Sequence, residues 1–200
     1  MILTGWAKTV TSVPGTSHSL REFVVNAVHP DARWAIDRFS ADDEGEIIAE
    51  AIRNGWCIGV SDWSFKDKFG TACWVLQGKD EVGQIICPCV VPGCGKYQSA
   101  NRSELASLYG MVTMIETLCR MYSIEVGQVE IGCDGLQALR HASRGTDITN
   151  SKMPQFDLLA AVRNMLQRCP VMVKTRHVKG HQDHEVGAFL DRWALLNIDG

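Results

Sequence analysis

WCIGVSDWSFKDKFGTACWVLQGKDEVGQIICPCVV, residues 56–91, decides the fold. Within it, WCIGVSD, GTACWVLQG and GQIICPCVV are short runs rich in β-branched and aromatic residues, the last two separated by the polar turn KDEV. The pattern predicts three successive antiparallel strands. Downstream, Leu105, Leu108, Val112, Ile115 and Cys119 recur at intervals of three and four residues, which predicts a long helix from about 102 to 121 with one buried face.

QVEIGC (128–133) then reads as a fourth strand and VMVKTRHV (171–178) as a fifth. Between them lie a helix over 135–142, a loop over SRGTDITNSKMPQ and a helix over 156–168, and a final helix is expected at about 187–196. The order βββαβααβα predicts an α/β domain in which a meander is followed by strands joined through helical crossovers. Residues 56–200 are read as this domain. Residues 1–55 are read as an N-terminal extension with one helix over about 41–54, where Ser40 is positioned to cap, acids crowd the first turn and Asn54-Gly55 end it.

The chain of 200 residues, 46% hydrophobic and 22% charged, has the composition of a folded soluble domain. No apolar run reaches the roughly 18 residues of a spanning helix. The opening MILTGWAKTVTSVPGTSHSL has neither a basic leader nor a continuous apolar segment, so an intracellular setting without membrane contact is expected. The eight cysteines lie within apolar stretches such as TACWVL and VEIGC and are expected to be reduced core residues. Net charge is −3, but residues 1–55 hold 5 Lys and Arg against 8 Asp and Glu, leaving 15 of each in residues 56–200.

Four acids fall at significant places on this map. Asp62 is expected to close the first strand, Asp134 to close the fourth, Glu104 to lie in the first turn of the long helix and Asp191 in the last helix. If strands one and four are parallel neighbours, both aspartates face the crevice at their carboxyl ends, where open α/β sheets bind ligands. Converging carboxylates with no intervening cation either take up protons or bind metal. Such hard oxygen donors suit Mg²⁺ or Mn²⁺. Two ions roughly 3.5 to 4 Å apart would clamp the attacking and leaving oxygens of a phosphoryl displacement. Each acid also has a bland reading: a strand-end aspartate serves turns, and Glu104 complements a helix dipole.

These residues resemble the ribonuclease H family over the 145 residues from Trp56 onward. SDWS with Asp62 resembles its first-strand aspartate motif, SANRSEL with Glu104 its Asn-Arg-x-Glu helix start, and CDGLQAL with Asp134 its third acidic motif. VKGHQDHEVGAFLD resembles its most specific run, in which the last aspartate follows the histidine by ten residues, as Asp191 follows His181. The resemblance implies a ribonuclease H-like fold, a five-stranded mixed sheet in the order 3-2-1-4-5 flanked by helices. It implies hydrolysis of the RNA strand of RNA:DNA hybrids to a 5′ phosphate and a 3′ hydroxyl. Asp62, Glu104, Asp134 and Asp191 would hold two Mg²⁺ ions, which Mn²⁺ can replace. His181 would assist proton transfer or product release, a task suited to its titration range. Asp183 competes with Asp191 as fourth acid; a helix would fix Asp191 better. Ser99, Asn101 and Gln137 would touch the hybrid, recognised by shape and 2′-hydroxyls, although Ser99 or Asn101 equally reads as a helix cap.

Two departures stand out: Trp63 follows the first aspartate where the family has Gly, and the basic protrusion of some members is replaced by the sparsely charged SRGTDITNSKMPQ. Reverse-transcriptase-linked ribonuclease H domains often lack that protrusion, which suggests a polymerase domain as partner. Three other readings compete. One is a transposase or integrase core, against which the VKGH run argues, and another is a non-catalytic duplex-binding module. The third is a zinc site at Cys87, Cys89 and Cys94, whose spacing is not standard.

Overall fold

The computed structural model describes residues 19–78, 82–135 and 155–178. The expected strands are β2 (Cys57–Lys66), β3 (Phe69–Gln77), β4 (Gln84–Val90), β5 (Gln128–Cys133) and β6 (Met172–His177). A further two-residue strand, β1 (Ser40–Ala41), precedes them. The sheet order is β1-β4-β3-β2-β5-β6. The ribonuclease H-like order 3-2-1-4-5 is therefore present as β4-β3-β2-β5-β6, and β1 makes the sheet six-stranded instead of five. Pairing is antiparallel through the meander and parallel for β2 with β5 and β5 with β6.

β2 and β3 meet in a two-residue turn, Asp67-Lys68, with φ of 51° and 68°. Positive φ at both turn residues matches the right-handed twist of the flanking strands. This turn fixes the register from Lys66↔Phe69 to Ile58↔Gln77.

Helix α3 (Ala100–Met121) is buried nearly all round from Arg102 to Cys119, as a helix in the middle of a domain must be. Glycines permit its close approach: a Cβ on Gly110 would collide with the Trp74 indole and lie 2.6 Å from the carbonyl oxygen of Ala35. Helix α4 (Phe156–Arg168) begins and ends where the sequence predicts. It is tied to α3 at both ends. Near the helix starts Arg102 pairs with Asp157 at 2.9 Å, and toward their ends the buried Glu116 lies 3.6 Å from Arg168 and 3.7 Å from Arg120. Start joined to start and end to end means that the two helices run in the same direction.

Residues before 56 differ from the extension expected. Helix α1 (Leu20–Ala27) opens with a capping box between Ser19 and Glu22 and buries Leu20, Val24 and Ala27. A 3₁₀ turn over Pro30–Ala35 follows, and the Ala35 carbonyl accepts a 3.1 Å hydrogen bond from the Trp74 indole. These residues share the main core with α3 and the sheet. Helix α2 spans Glu46–Arg53, starting later than expected because Ser40 and Ala41 pair with Ile86 and Ile85 of β4. Ser40 is thus a strand residue. The Asp43 carboxylate supplies the capping contacts, accepting from the amides of Gly45 and Ile47 at 2.8 and 3.0 Å.

All eight cysteines are free. Cys87 and Cys89 lie in the core, where burial pushes each thiol up to about 12, while Cys94 is exposed. The three do not form a metal-binding group among the described residues. No helix of the described residues is long and apolar enough to cross a membrane.

Candidate active site

The parallel pairing of β2 with β5 ends at Ser61↔Cys133. Asp62 and Asp134 are the next residue on each strand, so the sheet delivers both to the carboxyl end of the same strand pair. Asp62 does not close its strand as expected. β2 continues to Lys66 because its other partner, β3, pairs all the way to Phe69. Asp62 marks where β5 stops.

Helix α3 starts at Ala100, which puts Glu104 in its second turn instead of its first and weakens the helix-dipole reading of that residue. Glu104 points at the backbone just after Asp134, since a Cβ on Gly135 would collide with its Oε2. Glycine at 135 is what lets the chain pass this carboxylate. Burial, and secondarily the charge of Asp134, raise Glu104 above its usual range. Desolvation and a like charge both disfavour ionisation, and a cation placed between the carboxylates would relieve both.

Trp63 connects the two aspartates. Its amide donates to Asp62 Oδ1 at 2.7 Å and its indole Nε1 to Asp134 Oδ1 at 3.0 Å. Trp63 thus touches both carboxylates. In the sequence Trp63 stands out only as the bulky residue after Asp62; its reach to Asp134 depends on where the β2–β5 pairing ends.

The convergence is narrower than expected. The unbroken β2–β3 ladder alternates its side chains. Gly59 faces Met111 of α3, whereas Ile58 and Val60 belong to a separate cluster with Val75. Alternation places Asp62 with Ile58 and Val60, on the face away from Glu104. Glu104 and Asp134 come together, and no group of three His, Cys, Asp or Glu does so among the described residues. Asp191, His181, Asp183 and Gln137 lie outside the described residues.

Ser99 caps α3, accepting from the Arg102 amide at 3.1 Å and from Gln155 Nε2 at 2.9 Å. Asn101 has a buried Oδ1 with no hydrogen-bond partner. Arg102, to which the sequence reading gave no role, is buried and donates to both oxygens of Asp157 at 2.9 Å, to Gln155 Oε1 at 3.2 Å and to the Pro92 carbonyl at 3.0 Å. It fixes the start of α3, and with it Glu104, against α4 and the loop after β4.

No protein-family profile and no curated protein matches the sequence. Among solved structures the chain is similar to RNase H1 from the halophilic archaeon Halobacterium salinarum NRC-1, with 12% identity over 62% of this chain and 86% of that one and a TM-score of 0.43. It is also similar to the N-terminal RNase H domain of a Mycobacterium tuberculosis protein, solved as a fusion with maltose binding protein. There the identity is 7%, the coverage 64% of this chain and 84% of that one, and the TM-score 0.44.

Proposed function

We propose that this chain is a metal-dependent nuclease of ribonuclease H type that hydrolyses the RNA strand of RNA:DNA hybrids. The observation that carries the reading is that Glu104 and Asp134 come together at the carboxyl end of β5. Two carboxylates in a partly desolvated site, one of them raised above its usual range, fit a hard divalent cation in donor chemistry. Asp62, Glu104, Asp134 and Asp191 would hold two Mg²⁺ ions, or Mn²⁺ in their place. When bound, the ions supply Lewis-acid activation of water and neutralise charge developing on the phosphate.

The side chains have separate tasks in this reading. Glu104 and Asp134 supply the negative charge that concentrates cations at the crevice. Trp63 holds one oxygen of Asp134, which favours ligation of a cation through the other. The Asp62 carboxylate, on the other face of the sheet, would have to be brought to the crevice by a rearrangement of β2 beyond Ser61, where β5 no longer pairs with it. His181 would exchange a proton with the attacking water or the leaving oxygen. Asn101 would meet the RNA strand through its amide. An intracellular setting and a polymerase domain that shares the grip on the duplex complete the proposal.

Orientation of Asp62 toward the opposite sheet face specifically favours a second reading, a duplex-binding module without catalysis. A labelled RNA:DNA hybrid incubated with the full chain in Mg²⁺ separates the two. Cleavage of the RNA strand, abolished by Asp134→Asn, is expected. Binding without cleavage selects the second reading, and equal cleavage by Asp134→Asn or cutting of the DNA strand overturns the first.

A further inference from the structure

The β2–β3 hairpin reaches beyond its neighbours. β5 leaves β2 at Ser61, and β4 leaves β3 at Thr71↔Val90, so residues 66–69 stand as an arm beyond the carboxyl end of β5, while Gly70 is buried and its carbonyl accepts from the Val91 amide at 2.9 Å. At its tip Asp67-Lys68 form the tight turn. The second 3₁₀ turn, Gly95–Tyr97, packs beside it, for a Cβ on Gly95 would lie 3.1 Å from Lys68 Cβ.

Rings and lysines stand on both faces of the arm: Lys66 and Phe69 are a register pair on one face and Phe65 lies on the other. Phe65, Phe69 and Tyr97 are 38%, 73% and 59% exposed. Lys66, Lys68 and Lys96 are exposed as well, and Lys96 Nζ sits 4.7 Å from the centre of the Tyr97 ring. Asp67 is the one acid within the arm tip, and no ion pair engages any of the three lysines among the described residues. Lysines alone could be guarding a sheet edge against aggregation. Three exposed rings beside them are the opposite of such a guard, and their combination with lysines is how proteins track a nucleic-acid strand, with cations on phosphates and π-faces on bases or sugars.

The arm also begins in the right place. Trp63, whose indole touches Asp134, lies two residues before Phe65. A strand seated on the carboxylates and continuing along the sheet edge meets the arm next. Residues 56–200 are neutral in total, so affinity for a polyanion must come from a local concentration of positive charge.

We infer that the β2–β3 arm and the adjoining Gly95–Tyr97 turn form the substrate grip, in which Lys66, Lys68 and Lys96 contact backbone phosphates and the rings of Phe65 on one face of the arm and Phe69 on the other, with Tyr97, pack on the hybrid beyond the carboxylates. This rests on the nuclease reading above and names the surface that supplies its affinity.

The test is hybrid binding by the full chain carrying Asp134→Asn, measured across a salt series, together with KM for cleavage in the otherwise native chain. Lys66→Ala/Lys68→Ala/Lys96→Ala should weaken binding by about tenfold or more at moderate salt and flatten the plot of log affinity against log salt by roughly 0.7 to 0.9 per lost phosphate contact. Phe69→Ala should weaken binding about fivefold or more at every salt concentration, since stacking is not screened. Lys174→Ala, an exposed position on β6, serves as control. Cleavage by the native arm with KM and salt slope unchanged in the triple variant overturns the grip and leaves the nuclease reading standing. Lysine-dependent binding without cleavage supports the grip and overturns catalysis. No binding by the native arm overturns both.

Discussion

The indole nitrogen of Trp63 donates a 3.0 Å hydrogen bond to Oδ1 of Asp134, across the junction where β2 outlasts β5. The donor reduces the carboxylate's freedom before any cation arrives. Groups that orient a metal ligand in this way typically carry about 10-fold to 100-fold in metal affinity or activity. Trp63→Phe keeps the ring and removes the donor. It is expected to weaken Mn²⁺ binding by about 10-fold in calorimetric titration while the thermal midpoint hardly moves. An unchanged affinity would show that the bond does not prepare Asp134.

Glu104 gives a prediction of opposite sign for stability and activity. Its folded-state pKa is raised, by burial first and by Asp134 second. A raised carboxyl contributes stability that is present below its unfolded pKa and lost as pH rises through its folded value, so at neutral pH ionised Glu104 opposes folding. Glu104→Gln should abolish cleavage and yet raise the metal-free melting temperature near pH 7, with the difference shrinking as pH falls toward the ordinary glutamate range. A lower melting temperature at neutral pH would contradict the electrostatic description.

Arg102 and Asp157 predict acid sensitivity. Burial pushes the Asp157 carboxyl up, but the hydrogen bonds and charge of Arg102 outweigh it and hold the group below the usual aspartate range. A depressed carboxyl contributes stability that is present above the unfolded pKa and lost as pH falls through the folded one. Arg102→Met should cost about 3 kcal/mol near pH 7, because it leaves a partly buried carboxylate unpaired. Urea titrations should show the native chain losing this advantage below about pH 4. A cost independent of pH would mean that packing of the arginine stem, not its charge, dominates.

Gly110→Ala tests the seating of α3. On an exposed helix the change would stabilise by about 1 kcal/mol. Here the added methyl meets the Trp74 indole and the Ala35 carbonyl, displacing the hydrogen bond between them. A loss of about 1 to 3 kcal/mol is expected, measured by denaturant unfolding. A gain would show that the 3₁₀ turn yields without cost.

Where the polypeptide reports its own local pattern, reading and structure agree. β2, β3 and β4 were legible from alternation and turn residues, α4 from its spacing, and the apolar face of α3 from Leu105 to Cys119. Helix α1 was legible in principle through the Ser19–Glu22 capping box, but its eight residues are too short for periodicity to stand out from a Ser- and Pro-rich background. Asp134 and Glu104 were legible because their motifs put them at a strand end and a helix start. The length of β2 beyond Asp62 was not, since it depends on a partner strand pairing farther than β5 does.

The amino-acid sequence by itself determined strands β2 to β6 and helices α3 and α4, with Asp134 at the end of β5. Those follow from period-two and period-3.6 patterning, which is local. Tertiary structure alone decided that Trp63 reaches Asp134, that Arg102 secures α3 to Asp157, and that Asp62 takes the sheet face away from Glu104. Each of these depends on register between segments distant in the chain. One residue of register turns a side chain to the opposite face of a sheet, and no local pattern carries that information.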